Sequence, residues 1–366
     1  MISRRGICIC LFGFSLLCVF AQQNGPAGQF GPTASVPPDS AHRRIALDVV
    51  VTDKSGKPVP GLQQQDFTLL DNKQPQKIVS FHAVEGGSST TDPPVEAILL
   101  VDEANASVIN LATEREQIAK FLRQDNGKLP RPVSMAYLTD SGISIGKASS
   151  QDGNALITDL NQKEPALHTI TRSQGFYGAA DRQQLSLNAL KQLLNYETAR
   201  PGRKLVIWIS PGWPLLTGPD VELTPKNQQW VFNTIVGLSD GLRQARITLY
   251  QIDPLGMADA GEWRTSYYEE FVKGVKNANQ VQIGNLALQV LAVQTGGRAL
   301  NSSNDVAGEI ARCATDADAF YVLTFDGLAG DGPNEYHALE VKICKPGLTV
   351  RTRSGYYAQP EPAPAH

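Results

Sequence analysis

Through the middle of this chain of 366 residues, short apolar runs alternate with helical patterns. That rhythm leaves few architectures. A strand buried on both faces reads as an unbroken apolar run, and a helix between two such runs carries the chain back to begin the next parallel strand. The first run, 97–101, contains no polar residue and is the expected centre of a sheet. A helix follows, with Ile109, Ala112, Ile118, Phe121 and Leu122 on one stripe and Asn126-Gly127 as its stop. Segments 133–138 and 143–148 read as a hairpin about Thr139-Asp140-Ser141-Gly142. Helices at 185–194, 230–242, 281–293 and 306–314 then alternate with strands at 205–209, 247–252 and 298–300. The spacing predicts a Rossmann-like α/β domain over residues 95–316, with a mostly parallel sheet between helices.

Both flanks have a different texture. Ile45, Leu47, Val49 and Val51 alternate with Ala46, Asp48, Val50 and Thr52, the period of a strand with two unlike faces. Short strands at 67–70 and 77–81 flank the turn Asp71-Asn72-Lys73. Near the other end 320–325, 337–343 and 348–353 read as strands, and His337, Leu339, Val341 and Ile343 share a face. Three strands make a poor core alone, so 44–84 and 317–358 are expected to pack together as one discontinuous β-sandwich, with 85–94 as a linker.

At the amino terminus, Arg4 and Arg5 precede a largely apolar run at 7–20 that ends beside the small residue Ala21, which predicts a secretory signal cleaved after residue 21. Residues 22–43 are rich in Gly, Pro, Gln and Ser, too poor in apolar surface to offset their ordering entropy, and 359–366 is a Pro-rich tail. Removing residues 1–21 takes away Arg4 and Arg5, so the net charge of −3 becomes −5. A mildly acidic chain has no field for gripping a nucleic-acid backbone, and none is expected as a partner. Cys313 and Cys344 are the cysteines beyond residue 21, and an oxidising compartment makes a disulfide between them the default expectation. Two free thiols are the other reading.

Several features together resemble a known family. They are Val50-Val51-Thr52-Asp53 with Gly56, Gly61-Leu62 through Asp66-Phe67, the strand entering Val101-Asp102, Thr295-Gly296-Gly297-Arg298, and Val350 through Tyr356. The chain is similar to secreted bacterial proteins, of the kind abundant in Acidobacteria, that carry a von Willebrand factor A related domain. The resemblance implies a metal-ion-dependent adhesion site at the carboxyl ends of the strands. Its first loop would be Asp-x-Ser-x-Ser, joined by a Thr from a second loop and an Asp from a third, a set of hard oxygen ligands for Mg²⁺. Asp102 matches the first Asp, but Ala104 and Ala106 stand where the two Ser should be. Pro211 stands at the third-loop carboxylate, in Ile209-Ser210-Pro211-Gly212-Trp213, and Thr169 or Thr171 is the candidate Thr.

Too few oxygens remain for a tight site, so the expectation is a degenerate one holding no cofactor. Glu103, Asn105 and Ser107 could rebuild a weak Mg²⁺ or Ca²⁺ site around Asp102 and Thr171. An N-cap or loop acceptor beside the first helix is the bland role for Asp102. The same face, with Glu103, Asn105, Ser210, Trp213, Phe176 and Tyr177, is the expected docking surface for a protein partner at the cell envelope, because open α/β sheets bind beyond the carboxyl ends of their strands. Local packing is the alternative role of each aromatic.

An enzyme is the competing class. Gly142-Ile143-Ser144-Ile145-Gly146 matches the Gly-x-Ser-x-Gly elbow of serine hydrolases, but the elbow needs a helix directly after the serine, and here the serine falls inside a hairpin strand. No His-Glu-x-x-His, phosphate loop or Gly-x-Gly-x-x-Gly appears where its chemistry would need it. The sequence reading is therefore of a secreted or periplasmic, non-catalytic protein-binding module.

Overall fold

The computed structural model describes residues 44–86, 93–106, 108–146, 148–163, 175–214, 223–254 and 267–361. The leader and linker expected at 1–43, and Thr171, lie outside the described residues, and Phe176 is placed as backbone only.

The chain opens with strands β1 (Arg44–Thr52), β2 (Phe67–Asp71), β3 (Gln74–Gln76) and β4 (Ser80–Glu85). Next come β5 (Glu96–Asp102), α1 (Val108–Leu122), β6 (Lys128–Thr139), β7 (Gly142–Ile145), β8 (Ser150–Asp152), α2 (Gly153–Gln162) and α3 (Gly175–Thr198). They are followed by β9 (Lys204–Ile209), α4 (Pro225–Gln244), β10 (Ile247–Ile252), α5 (Leu288–Gln294), β11 (Arg298–Leu300) and α6 (Val306–Ala314). The last strands are β12 (Ala319–Asp326), β13 (Glu335–Ile343), β14 (Thr349–Arg351) and β15 (Gly355–Ala358).

The middle segment forms a seven-stranded sheet in the order β11-β10-β9-β5-β6-β7, with β8 also on β6. Strands β11, β10, β9, β5 and β6 are parallel, and β7 and β8 join β6 antiparallel. The first strand is central, as its unbroken apolar run predicts, and every residue of β5, β9 and β10 is buried. Trp208, Leu100 and Leu249 point to one face, under α3 and α4. Leu99, Ile207 and Tyr250 point to the other, under α1, α2 and α6.

The two ends of the chain form two four-stranded sheets, β14-β1-β12-β4 and β15-β13-β2-β3. Ile45, Leu47, Val49, Leu69, Tyr321, Leu323, Leu339 and Val341 fill one core between them. The strand expected at 77–81 is replaced by a change of sheet: β3 stays with β2, and β4 crosses to β12. Asn72 and Lys73 make the turn between β2 and β3, with φ of 46° and 69°. Val50, Val84 and Phe320 leave the outer side of the first sheet and join Leu99 and Ile310 in the α/β core. That contact carries a buried ion cluster in which Arg351 donates to both Asp316 oxygens at 2.7 Å and the Tyr250 hydroxyl donates to Oδ2 at 2.7 Å.

Two elements depart from expectation. The helix expected at 281–293 is a 3-10 turn at Ile283–Leu286 followed by the short α5, because Ala287 is extended, at φ −64° and ψ 143°, and ends one turn before the next begins. The cysteines are not joined. Cys313 is fully buried in the α/β core, while Cys344 is exposed at the far end of β13, in the sheet on the other side of the molecule's second core.

Candidate functional site

Asp102 ends β5 level with Leu138 of β6, and its carboxylate is fully buried. The turn after it is pulled against β6, where the Glu103 and Ala104 amides donate to the Leu138 carbonyl at 2.9 and 3.1 Å. This folds Asn105 back over the carboxylate. The Asn105 backbone N–H donates to Oδ1 at 3.0 Å, and its Nδ2 lies 3.0 and 2.9 Å from Oδ1 and Oδ2. The same Nδ2 reaches Ser186 Oγ on α3 at 2.9 Å. From β9, the indole N–H of Trp208 donates to Oδ2 at 2.9 Å, and the Ser210 hydroxyl also bonds the carboxylate.

Burial pushes the Asp102 carboxyl up, and the bonds from Asn105, Trp208 and Ser210 oppose that shift. Donors from two segments, Asn105 on the turn after β5 and Trp208 and Ser210 on and just after β9, therefore surround the carboxylate. A ligand to Mg²⁺ or Ca²⁺ must present free lone pairs to the ion, and here N–H and O–H groups are aimed at those lone pairs. Among the described residues, no group of three or more His, Cys, Asp and Glu is placed to hold a metal ion.

The residues expected at a docking surface divide into two sets. Glu103 is buried and paired with Arg115, which also donates to the carbonyls of Leu160 and Lys163 at 3.0 and 2.6 Å. Ser210 is fully buried, and its Oγ accepts the Gly212 amide at 3.1 Å. Trp213 is not a rim residue: it is 3% exposed and meets Trp208 edge-on, with ring centroids 5.2 Å apart. Gly212, at φ 99°, turns it inward, and a Cβ there would come within 2.3 Å of Gln289. Asn105 is half-buried. Tyr177, in contrast, is 84% exposed on the first turn of α3. It lies nine residues before Ser186, roughly 13 Å along the helix, and so projects beyond the level of Asp102.

Ser144 lies on the edge strand β7, with Lys163 Nζ 3.5 Å from its Oγ, and the chain continues into β8 rather than a helix. His337 is committed elsewhere: Nδ1 meets Asp71 at 2.9 Å in the core between the two outer sheets, where the Tyr356 hydroxyl also donates to Asp71 at 2.7 Å. The strand-turn-helix geometry of a nucleophile elbow is absent at Ser144.

Sequence reading passed over Trp208 and Ser186. Trp208 is an isolated N–H donor inside an aliphatic strand, Lys-Leu-Val-Ile-Trp-Ile, and such a donor needs an acceptor when buried.

No protein-family model matches the sequence, and no curated protein matches it. Among solved structures, the chain is similar to the human COPII-coat protein Sec24c at 9% identity and a TM-score of 0.33, over 73% of this chain and 44% of that one. It is similar to the SpRpn10 VWA domain at 11% identity and a TM-score of 0.27, over 59% of this chain and 93% of that one. The pilus adhesin SpaC from Lactobacillus rhamnosus GG is similar at 11% identity and a TM-score of 0.33, over 82% of this chain and 43% of that one. The chain thus spans less than half the length of Sec24c and of the adhesin. The α/β fold class rests on the strand order and packing described above. No described helix is long and apolar enough to cross a membrane.

Proposed function

We propose that this chain is a secreted or periplasmic, non-catalytic protein-binding module: a von Willebrand factor A type domain, carried on a β-sandwich built from both ends of the chain, whose adhesion site has become degenerate. The A-type reading is supported by the order of the seven-stranded sheet, with its first strand central, β6 and the antiparallel β7 to one side and β9, β10 and β11 to the other. One observation carries the degenerate-site reading, the indole N–H of Trp208 directed at Oδ2 of Asp102. The replacement residues agree with it, since Ala104 and Ala106 are buried at 1% and 5% exposure where hydroxyl ligands would stand. The partner is a protein whose binding needs no divalent ion and uses the ground beyond the strand ends, with Tyr177 as the exposed aromatic that anchors it. Secretion rests on the pattern of residues 1–21.

The test is a pull-down from a cell-envelope extract with the wild-type chain and Tyr177→Ala, each with and without chelator. The proposal expects a protein retained by the wild type in chelator and lost with Tyr177→Ala. Retention that fails in chelator would favour an ion-mediated adhesin, and retention unchanged in Tyr177→Ala would move the interface elsewhere.

A further inference from the structure

Glu114 is an acid that the docking reading does not use. It lies on the inward stripe of α1 with Leu111 and Ile118, is 1% exposed, and among the described residues no group hydrogen-bonds to either carboxyl oxygen. Asp102, Glu103 and Asp253 face it with like charge. The cation beside it is Arg115, whose guanidinium is already engaged by Glu103 and two backbone carbonyls. Among the described residues of the helices packed on α1, the cation is Arg312 of α6, which pairs with Glu309; Asp305, just before α6, pairs with Lys120 of α1, and Asp159 of α2 accepts from Tyr137. An ionised carboxylate in that setting is opposed by desolvation and by repulsion together.

We propose that α1 and the Asp102 turn form a proton-dependent latch, in which α1 seats against the sheet only with Glu114 neutral and loss of that proton loosens helix and turn together. Burial, then the charges of Asp102 and Glu103, push the Glu114 carboxyl well above the usual carboxylate range, in keeping with this arrangement. The sign follows from linkage. A group that binds its proton more tightly when folded contributes most below its unfolded value, and that contribution is lost as pH rises through its folded value. Because α1 begins just after the turn that holds Asn105 over Asp102, the latch couples proton occupancy to the edge of the face proposed for docking, yet it depends on the packing of α1 alone.

The experiment compares wild type, Glu114→Gln and the apolar, volume-conserving Glu114→Met. Melting midpoints are followed from about pH 5 to about pH 9, with amide hydrogen exchange of residues 108–122, corrected for intrinsic rate, as the local readout. The wild type is expected to lose melting temperature and protection in α1 as pH rises, with both slopes flatter in the two variants. Equal slopes in all three proteins would overturn the latch. So would restoration of the wild type at high pH by excess Ca²⁺, which would make the cluster a cation site.

Discussion

The indole N–H of Trp208 donates to Oδ2 of Asp102 at 2.9 Å, joining adjacent strands of the parallel sheet at the end from which such sheets bind their ligands. The bond serves two ends. It helps satisfy a fully buried carboxylate, and it occupies a lone pair that a ligand to a cation would have to leave free. Asp102→Ala leaves the indole N–H without its acceptor in a dry site, and Trp208→Phe takes one of several donors from a fully buried carboxylate, so each should destabilise by about 1–3 kcal/mol. In a double-mutant cycle read by urea unfolding, the pair should couple by about 1–2 kcal/mol, and additivity would show that the bond contributes nothing.

A larger loss is expected at the junction of the α/β layer with the outer sheets. Asp316 is fully buried and accepts from Arg351 and Tyr250. Asp316→Ala leaves a guanidinium and a phenol buried without their acceptor and should cost about 3–5 kcal/mol in equilibrium unfolding. If the two layers were loosely joined, the loss would fall within the small range of surface substitutions.

Lys204 tests the opposite end of the sheet. Its ammonium is buried and donates to the carbonyls of Glu197, Arg200 and Ala245, at the carboxyl ends of α3 and α4. Burial pushes this amine down, with Glu197 opposing. Lys204→Met keeps the packing and abandons three carbonyls, so a loss of about 1–3 kcal/mol in urea unfolding is expected without change at the Tyr177 face.

Thiol chemistry separates the two cysteines. Cys344 is exposed and should react with a thiol reagent in the native protein. Cys313 is fully buried, and burial pushes its thiol up, so it should react only on unfolding. Peptide mapping after alkylation with and without denaturant distinguishes the sites, and a Cys313–Cys344 peptide from unreduced protein would contradict the structure.

The sequence makes the sheet legible because β5, β9 and β10 bury both faces and so read as apolar runs between Glu96 or Lys204 at their starts and Asp102, Ser210 and Gln251 at their ends, broken only by Thr248. It shows less of what depends on partners distant along the chain. Alternation along 67–85 reveals which face is apolar, yet not that β2 and β4 belong to different sheets, because pairing is decided by β13 and β12, more than two hundred residues later. Trp213 reads as a loop aromatic, and only the left-handed backbone of Gly212 shows that it turns down onto Trp208. The missing hydroxyls at Ala104 and Ala106 are plain in the sequence, whereas the donors around the Asp102 carboxylate come from Asn105, Trp208 and Ser210, on two separate segments.

Calorimetric titration of Mg²⁺ and Ca²⁺ into the wild-type protein and Asp102→Ala tests the central claim most directly. If the Asp102 carboxylate is held by Trp208 and Asn105 in place of a cation, neither ion produces binding heat in either protein. Micromolar binding by the wild type that disappears in Asp102→Ala would contradict the account.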